Sequence, residues 1–106
     1  MEAKERFAAL VQEFAARPGV QPPEGGSGFG STALKVDGSI FAMLPGAHLV
    51  VKLPSERVTA LIESGEGEPF DGGKGRPMRQ WLTVVDVDAW ERMAEEALQF
   101  VAARRR

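Results

Sequence analysis

Few residues in this chain are of types that could do chemistry. There is one histidine and no cysteine. That composition excludes disulfides, thiolate metal sites and a cysteine nucleophile, and it argues against a dedicated transition-metal site. General-base work by His48 would need a partner held within hydrogen-bond reach. Local spacing places neither a carboxylate nor a nucleophile beside it, so His48 is expected to be exposed near a hairpin tip. Asp86, Asp88 and Glu91 are spaced for helix capping, and Glu63, Glu66 and Glu68 for a solvated helix end. The serines fall at strand ends and helix starts, and no Gly-x-Ser-x-Gly elbow occurs. Two glycine-rich runs invite a phosphate-loop reading, and neither sustains it. No strand precedes Pro22–Gly28, and no Lys-Ser/Thr pair ends it. In Asp71–Arg76, no Ser or Thr follows Lys74 and no helix follows the glycines. The expectation is a protein that is not an enzyme and carries neither cofactor nor metal.

The elements that must position any site are organised around Phe29–Leu53. Asp37-Gly38 between alternating apolar runs is a strong hairpin signal, because a type I′ turn needs positive φ at both central residues. Pro45-Gly46 marks a second hairpin, which makes a three-stranded meander. A two-residue first loop pairs Val36 with Ser39, Leu34 with Phe41 and Thr32 with Met43. A three-residue second loop then sets Met43 opposite Leu49 and Phe41 opposite Val51. One face reads Leu34, Val36, Phe41, Met43, Leu49, Val51, Leu53. A two-residue second loop would bring His48 and Lys52 onto that face, so the hydrophobic pattern selects the longer one. The other face carries Lys35, Ile40, Ala42, Leu44, Val50 and Lys52, with Ala33 and His48.

Before the meander, residues 3–17 read as an amphipathic helix with Phe7, Leu10, Val11 and Phe14 on one stripe, stopped by Pro18-Gly19. Residues 18–28 read as a loop. After it, Ser55 caps a second helix carrying Val58, Leu61 and Ile62, and Gly65 ends that helix in the left-handed region. A short fourth strand begins at Pro69-Phe70, and a fifth runs from Met78 to Val85. In the fifth, Met78, Leu82 and Val84 compete with Trp81 and Val85 for the inward side. Asp86 or Asp88 caps the last helix, with Glu91 as in a capping box. Its stripe is Val87, Trp90, Met93, Ala94, Ala97, Leu98 and Val101, and Arg104–Arg106 complement its C-terminal dipole. Trp81 and Trp90 are both expected in the core. Element order is α-β-β-β-α-β-β-α, an α+β two-layer sandwich whose antiparallel sheet of about five strands carries helices on one face.

At 106 residues the chain is expected to be a single domain, residues 1–106. Thirteen Lys+Arg against fifteen Asp+Glu leave a formal charge of -2, without the basic footprint of a general nucleic-acid binder. No signal peptide and no apolar stretch of membrane-spanning length is legible, so the expected location is cytoplasmic, with no membrane partner.

Several segments resemble the TfoX N-terminal-like domains and, more loosely, the YjbR-like proteins of related fold. They are Gly28-Phe29-Gly30, Lys35-Val36-Asp37-Gly38 with Ile40-Phe41-Ala42, Leu49–Leu53, Glu68-Pro69-Phe70 and Gly75-Arg76-Pro77-Met78. The closing strand-to-helix segment also matches, and the likeness covers roughly residues 28–103. It implies a small α+β unit without a catalytic signature, of a kind found alone or fused to a helical domain. The first name comes from a competence regulator, and YjbR-like proteins are often labelled DNA-binding. No second helical domain is expected in these 106 residues, and they have no tyrosine where many members of the family have tyrosine-rich strands.

One surface resists a bland account: the apolar strip Ile40, Ala42, Leu44 and Val50 with Lys35 and Lys52 at its edges. Left uncovered, such a strip marks an interaction site. The alternative is that the first helix or the Gly-rich loop folds over it. The leading expectation is therefore a non-catalytic interaction or regulatory module that self-associates as a homodimer, or binds another protein, through this face. The alternative is nucleic-acid binding through Lys35, Lys52, Lys74, Arg76 and Arg79.

Overall fold

The computed structural model describes residues 2–23, 33–71, 75 and 78–104. Its elements are α1 (Ala3–Ala15), β1 (Val20–Gln21), β2 (Ala33–Val36), β3 (Ser39–Met43), β4 (Leu49–Lys52), α2 (Ser55–Glu63), β5 (Gly67–Pro69), β6 (Trp81–Val84), a 3-10 turn (Val87–Ala89) and α3 (Trp90–Arg104). The fold is α+β, with an open six-stranded antiparallel sheet in the order β1-β2-β3-β4-β6-β5. The expected order of helices and strands holds, with one strand more. The addition is β1, in a stretch read as loop. Two residues are too few to show alternation, and β1 exists because the edge of β2 offers it backbone partners, Val20 opposite Val36 and Gln21 opposite Lys35.

The first hairpin forms as its turn chemistry requires. Asp37 and Gly38 have φ of 50° and 87°, and Val36 faces Ser39. Beyond Lys35–Ile40 the register slips. Leu34 faces Ala42 and Ala33 faces Met43, so Phe41 is the extra residue of a β-bulge. The expected pairs Leu34–Phe41, Met43–Leu49 and Phe41–Val51 are thereby corrected. In the structure Ala42 faces Val51 and Met43 faces Val50. The bulge inverts β3 from Ala42 onward, so Ala42 and Leu44 enter the helix-covered core and Met43 turns to the other face, where it is half-buried. Strict alternation would have buried Phe41 and Met43 alone. The bulge buries Phe41, Ala42 and Leu44 instead. Each added buried methylene contributes about 0.8 kcal/mol, which offsets the roughly 0.5–1.5 kcal/mol of a disrupted ladder hydrogen bond.

In β4 the expected alternation stands: Leu49, Val51 and Leu53 are fully closed to solvent, and His48 is exposed. Pairing with β4 settles β6, where Leu82 and Val84 turn inward opposite Val51 and Leu49. Trp81 lies opposite Lys52 on the second face and is half-buried, which corrects its expected place in the core.

All three helices bury their apolar stripes in one cluster with the inward strand residues. α1 contributes Phe7, Leu10 and Phe14, and the Phe14 ring lies 6.2 Å from that of Phe41. α2 starts one residue earlier than a Ser55 cap would give. Pro54 is the N-cap and makes no side-chain cap bond. Its end follows the glycine expectation: Gly65 has φ of 84°, and Gly65 N–H and Glu66 N–H donate to Ile62 and Leu61 carbonyls at 3.1 and 2.9 Å. Before α3, Asp86 accepts a 3.0 Å bond from Asp88 N–H and caps the 3-10 turn. That turn leaves Val87 44% exposed, so the buried stripe begins at Ala89 and Trp90.

Candidate functional site

The second face of the sheet is the one over which the described residues place no helix. From the register, it carries Lys35 and Ala33 of β2, Ile40 and Met43 of β3, Val50 and Lys52 of β4, and Trp81 and Thr83 of β6. Ala42 and Leu44, expected here, are on the core side at 0% and 4% exposure. The apolar strip is thus Ile40, Met43, Val50 and Trp81. Val50, between Met43 and Thr83, is closed off at 1%, while Ile40, Met43 and Trp81 are half-buried. α1 does not cover the strip, because its stripe points into the shared core. The Gly-rich loop of residues 24–32 lies outside the described residues. Charge on this face is one-sided. Lys35 and Lys52 stand on central strands, and the carboxylate sharing their face is Glu68, on the edge strand β5.

At one end of β4 and β6 this face turns into a cleft. A turn at Met78–Trp81 is closed by Trp81 N–H donating to the Met78 carbonyl at 3.0 Å. It is tied on both sides, by Met78 N–H to Phe70 O at 2.8 Å and by Leu53 N–H to Gln80 O at 2.9 Å. The cleft, about 450 Å³, is lined by Lys52, Ser55, Met78, Arg79, Gln80 and Trp81. It adjoins a groove of about 350 Å³ that shares Ser55, Met78 and Arg79 and adds Val58, Ile62 and Pro69, with Glu56 at its side. Across Lys52 lies a further cavity of about 250 Å³, lined by Ser39, Lys52, Val101 and Arg104.

The Lys52 ammonium sits 5.5 Å from the Trp81 ring centroid. Arg104 lies over Phe100 at 5.3 Å and donates to Gln80 Oε1 at 3.2 Å. Among the described residues no carboxylate pairs with Lys52, Arg79 or Arg104. Arg79 is exposed, and Lys74 and Arg76 lie outside the described residues.

The helix side uses its charges differently. Arg17 of the α1–β1 turn pairs with Glu95 of α3, with Nη2 to Oε2 at 2.9 Å. Arg57 pairs with Glu96 at 2.7 Å, and Arg92 approaches Glu66 at 3.8 Å. The bond from Arg17, helped by Gln99, holds the Glu95 carboxyl down at about 2. A hydrogen bond with Glu91 pushes the Glu13 carboxyl above its ordinary value, with burial and the charges of Glu91 and Glu95 adding to the rise. These are structural pairs along a helix seam. A cavity of about 230 Å³ between Arg6, Leu10, Glu13, Asp88, Trp90 and Glu91 adjoins it. The Trp90 indole N–H is buried without a hydrogen-bond partner among the described residues.

No group of three or more His, Asp or Glu residues is arranged to hold a metal among the described residues. Likewise, no described helix is long and apolar enough to cross a membrane. No family model, curated protein or solved structure matches this chain. Sequence reasoning missed Trp81 and Arg104 as neighbours of Lys52. The parity of β6 was the one signal for the first. Nothing in local spacing joins the end of α3 to the end of β4.

Proposed function

We propose that this chain is a non-catalytic interaction module of the TfoX N-terminal-like type that associates with a second copy of itself through the helix-free sheet face. The observation that carries the reading is the strip Ile40, Met43 and Trp81, apolar and partly accessible on strands whose opposite face is fully used by three helices. Apolar patches rimmed by polar groups mark association surfaces, and an isologous contact needs one such patch per copy. Ile40→Glu places a charge in the strip without touching the core. Sedimentation should give a dimer for the parent and a monomer for the variant. A monomeric mass for both at the highest concentration removes the self-association reading.

One observation favours a second reading, nucleic-acid binding. Lys35, Lys52 and Arg79 form no ion pair among the described residues, and Trp81 lies beside two of them as a stacking surface. Phosphate contacts of this kind weaken steeply with salt. A mobility shift of single-stranded or duplex DNA at low salt that disappears as salt is raised supports it, and no shift at low salt ends it.

A further inference from the structure

We propose that the cleft between the end of β4, the Met78–Trp81 turn and the C-terminal end of α3 binds a phosphate-bearing small molecule with a planar ring, of nucleotide type. Lys52 is shared by two adjoining cavities, with Arg79 lining one and Arg104 the other, and among the described residues no Asp or Glu lines either. Arg17, Arg57 and Arg92, by contrast, meet glutamates. Cations gathered around one another with little counter-charge repel one another. An oxyanion removes that repulsion. Arginine donors match phosphate oxygens in pairs, and lysine adds a compact point charge. The Ser39 and Ser55 hydroxyls and the Gln80 carboxamide supply neutral hydrogen-bonding groups in the same walls.

Size and surface decide what the oxyanion is attached to. About 450 Å³ is far more than one phosphate fills and lies in the range of small-molecule sites. The wall beside the cations is Trp81, with Met78 next to it: a flat indole and a polarisable thioether, the surface on which a ring stacks. The Lys52 ammonium itself stands over the indole at 5.5 Å, so a ring that stacks there takes its place and turns Lys52 onto the phosphate the ring carries. Glu56, at the side of the adjoining groove, keeps the anionic end of a ligand near Lys52 and Arg79.

The test is calorimetric titration of the full chain at low salt with adenosine monophosphate, inorganic phosphate and a short single-stranded oligoadenylate. Saturable binding of the monophosphate, tighter than that of inorganic phosphate, is expected. Arg79→Gln should weaken it about tenfold, the loss expected when one charge-assisted contact is removed. Lys52→Gln should act alike, and Trp81→Phe should narrow the gap between nucleotide and phosphate. Lys4→Gln, on α1, should leave binding unchanged, and Ile40→Glu, on the proposed association strip, should leave monophosphate binding unchanged, which separates this site from the self-association reading. Oligoadenylate binding tighter than the monophosphate, with the same dependence on Arg79, supports the site and identifies a strand as the source of the nucleotide. Equal or weaker binding identifies the free nucleotide. Arg79 is exposed, so its variant keeps the fold, checked by an unchanged thermal midpoint. No saturable heat with any nucleotide, or unaltered affinity in the Arg79→Gln and Lys52→Gln variants, overturns the proposal.

Discussion

Among the described glycines, Gly67 is the one whose missing Cβ would meet its neighbours most closely. It opens the edge strand β5 opposite Val84, and a Cβ on it would stand 2.8 Å from Leu82 Cγ, inside the core. Gly67→Ala therefore forces Leu82 to move and should cost about 1–3 kcal/mol, the range for overpacking. Gly46 is the contrast. Its φ is ordinary, and the space a Cβ would take there is open for 4 Å around. Gly46→Ala should thus be neutral or stabilise by about 0.4–1 kcal/mol through the unfolded chain. Urea midpoints of the two variants check both signs. Phe41 is the matching case for deletion. Fully closed and packed 6.2 Å from the Phe14 ring, it should cost about 3–5 kcal/mol as Phe41→Ala.

Among the elements, β3 and the α1–α3 seam make the sharpest predictions. The bulge at Phe41 predicts an asymmetry that strict alternation would reverse. Leu44→Glu should unfold the chain, while Met43→Glu, on the helix-free face, should leave a cooperative thermal transition. Circular dichroism melts of the two variants decide it.

Along the seam, Glu95 is held at about 2 by Arg17 and Gln99, below its unfolded value. A lowered carboxylate contributes stability that is complete above the unfolded value and lost as pH falls through about 2. Glu13 behaves oppositely. Its carboxyl is raised by Glu91, so what it adds is present below the unfolded value and lost as pH rises through the folded one. Glu13→Gln should thus raise the melting temperature at neutral pH, with the gain vanishing below about pH 4, where the parent carboxyl is protonated too. Arg17→Gln should lower it at neutral pH and lose that effect progressively as pH falls from the unfolded value to about 2. Both effects should be small, since the Arg17 and Glu95 side chains are 38% and 40% exposed.

For the molecule as a whole, the sheet divides into a rigid middle and two short edges. β3, β4 and β6 lie inside the strand order, whereas β1 has two residues and β5 three. Protection against amide exchange should therefore be greatest in Phe41–Met43, Val50–Lys52 and Leu82–Val84. It should be least in Val20–Gln21 and Gly67–Pro69, which open without global unfolding. Slow exchange at Val20 equal to that at Val51 would contradict that division. The same layout explains how the molecule can offer a face. Three helices saturate one side of the sheet, so whatever binds through the sheet must use the side bearing Lys35, Ile40, Met43, Val50, Lys52 and Trp81.

Much of this was legible in the sequence because local chemistry decided it. Asp37-Gly38 dictated a turn with positive φ, Gly65 a helix end, and the stripes of α1, α2 and α3 the side they bury. The alternation of Leu49, Val51 and Leu53 determined which side of β4 is inward. What only tertiary structure decided is what depends on partners distant in the chain. β1 exists because β2 has an edge. Trp81 takes its side from pairing with β4, and Ala42 and Leu44 turn inward because covering helices reward their burial more than an unbroken ladder would. Arg79 and Arg104 come to line cavities on either side of Lys52 only when a strand, a turn and a helix end converge. A sequence shows the period of a strand, but not a single inserted residue that inverts it, since that insertion is set by the surface it is folded against.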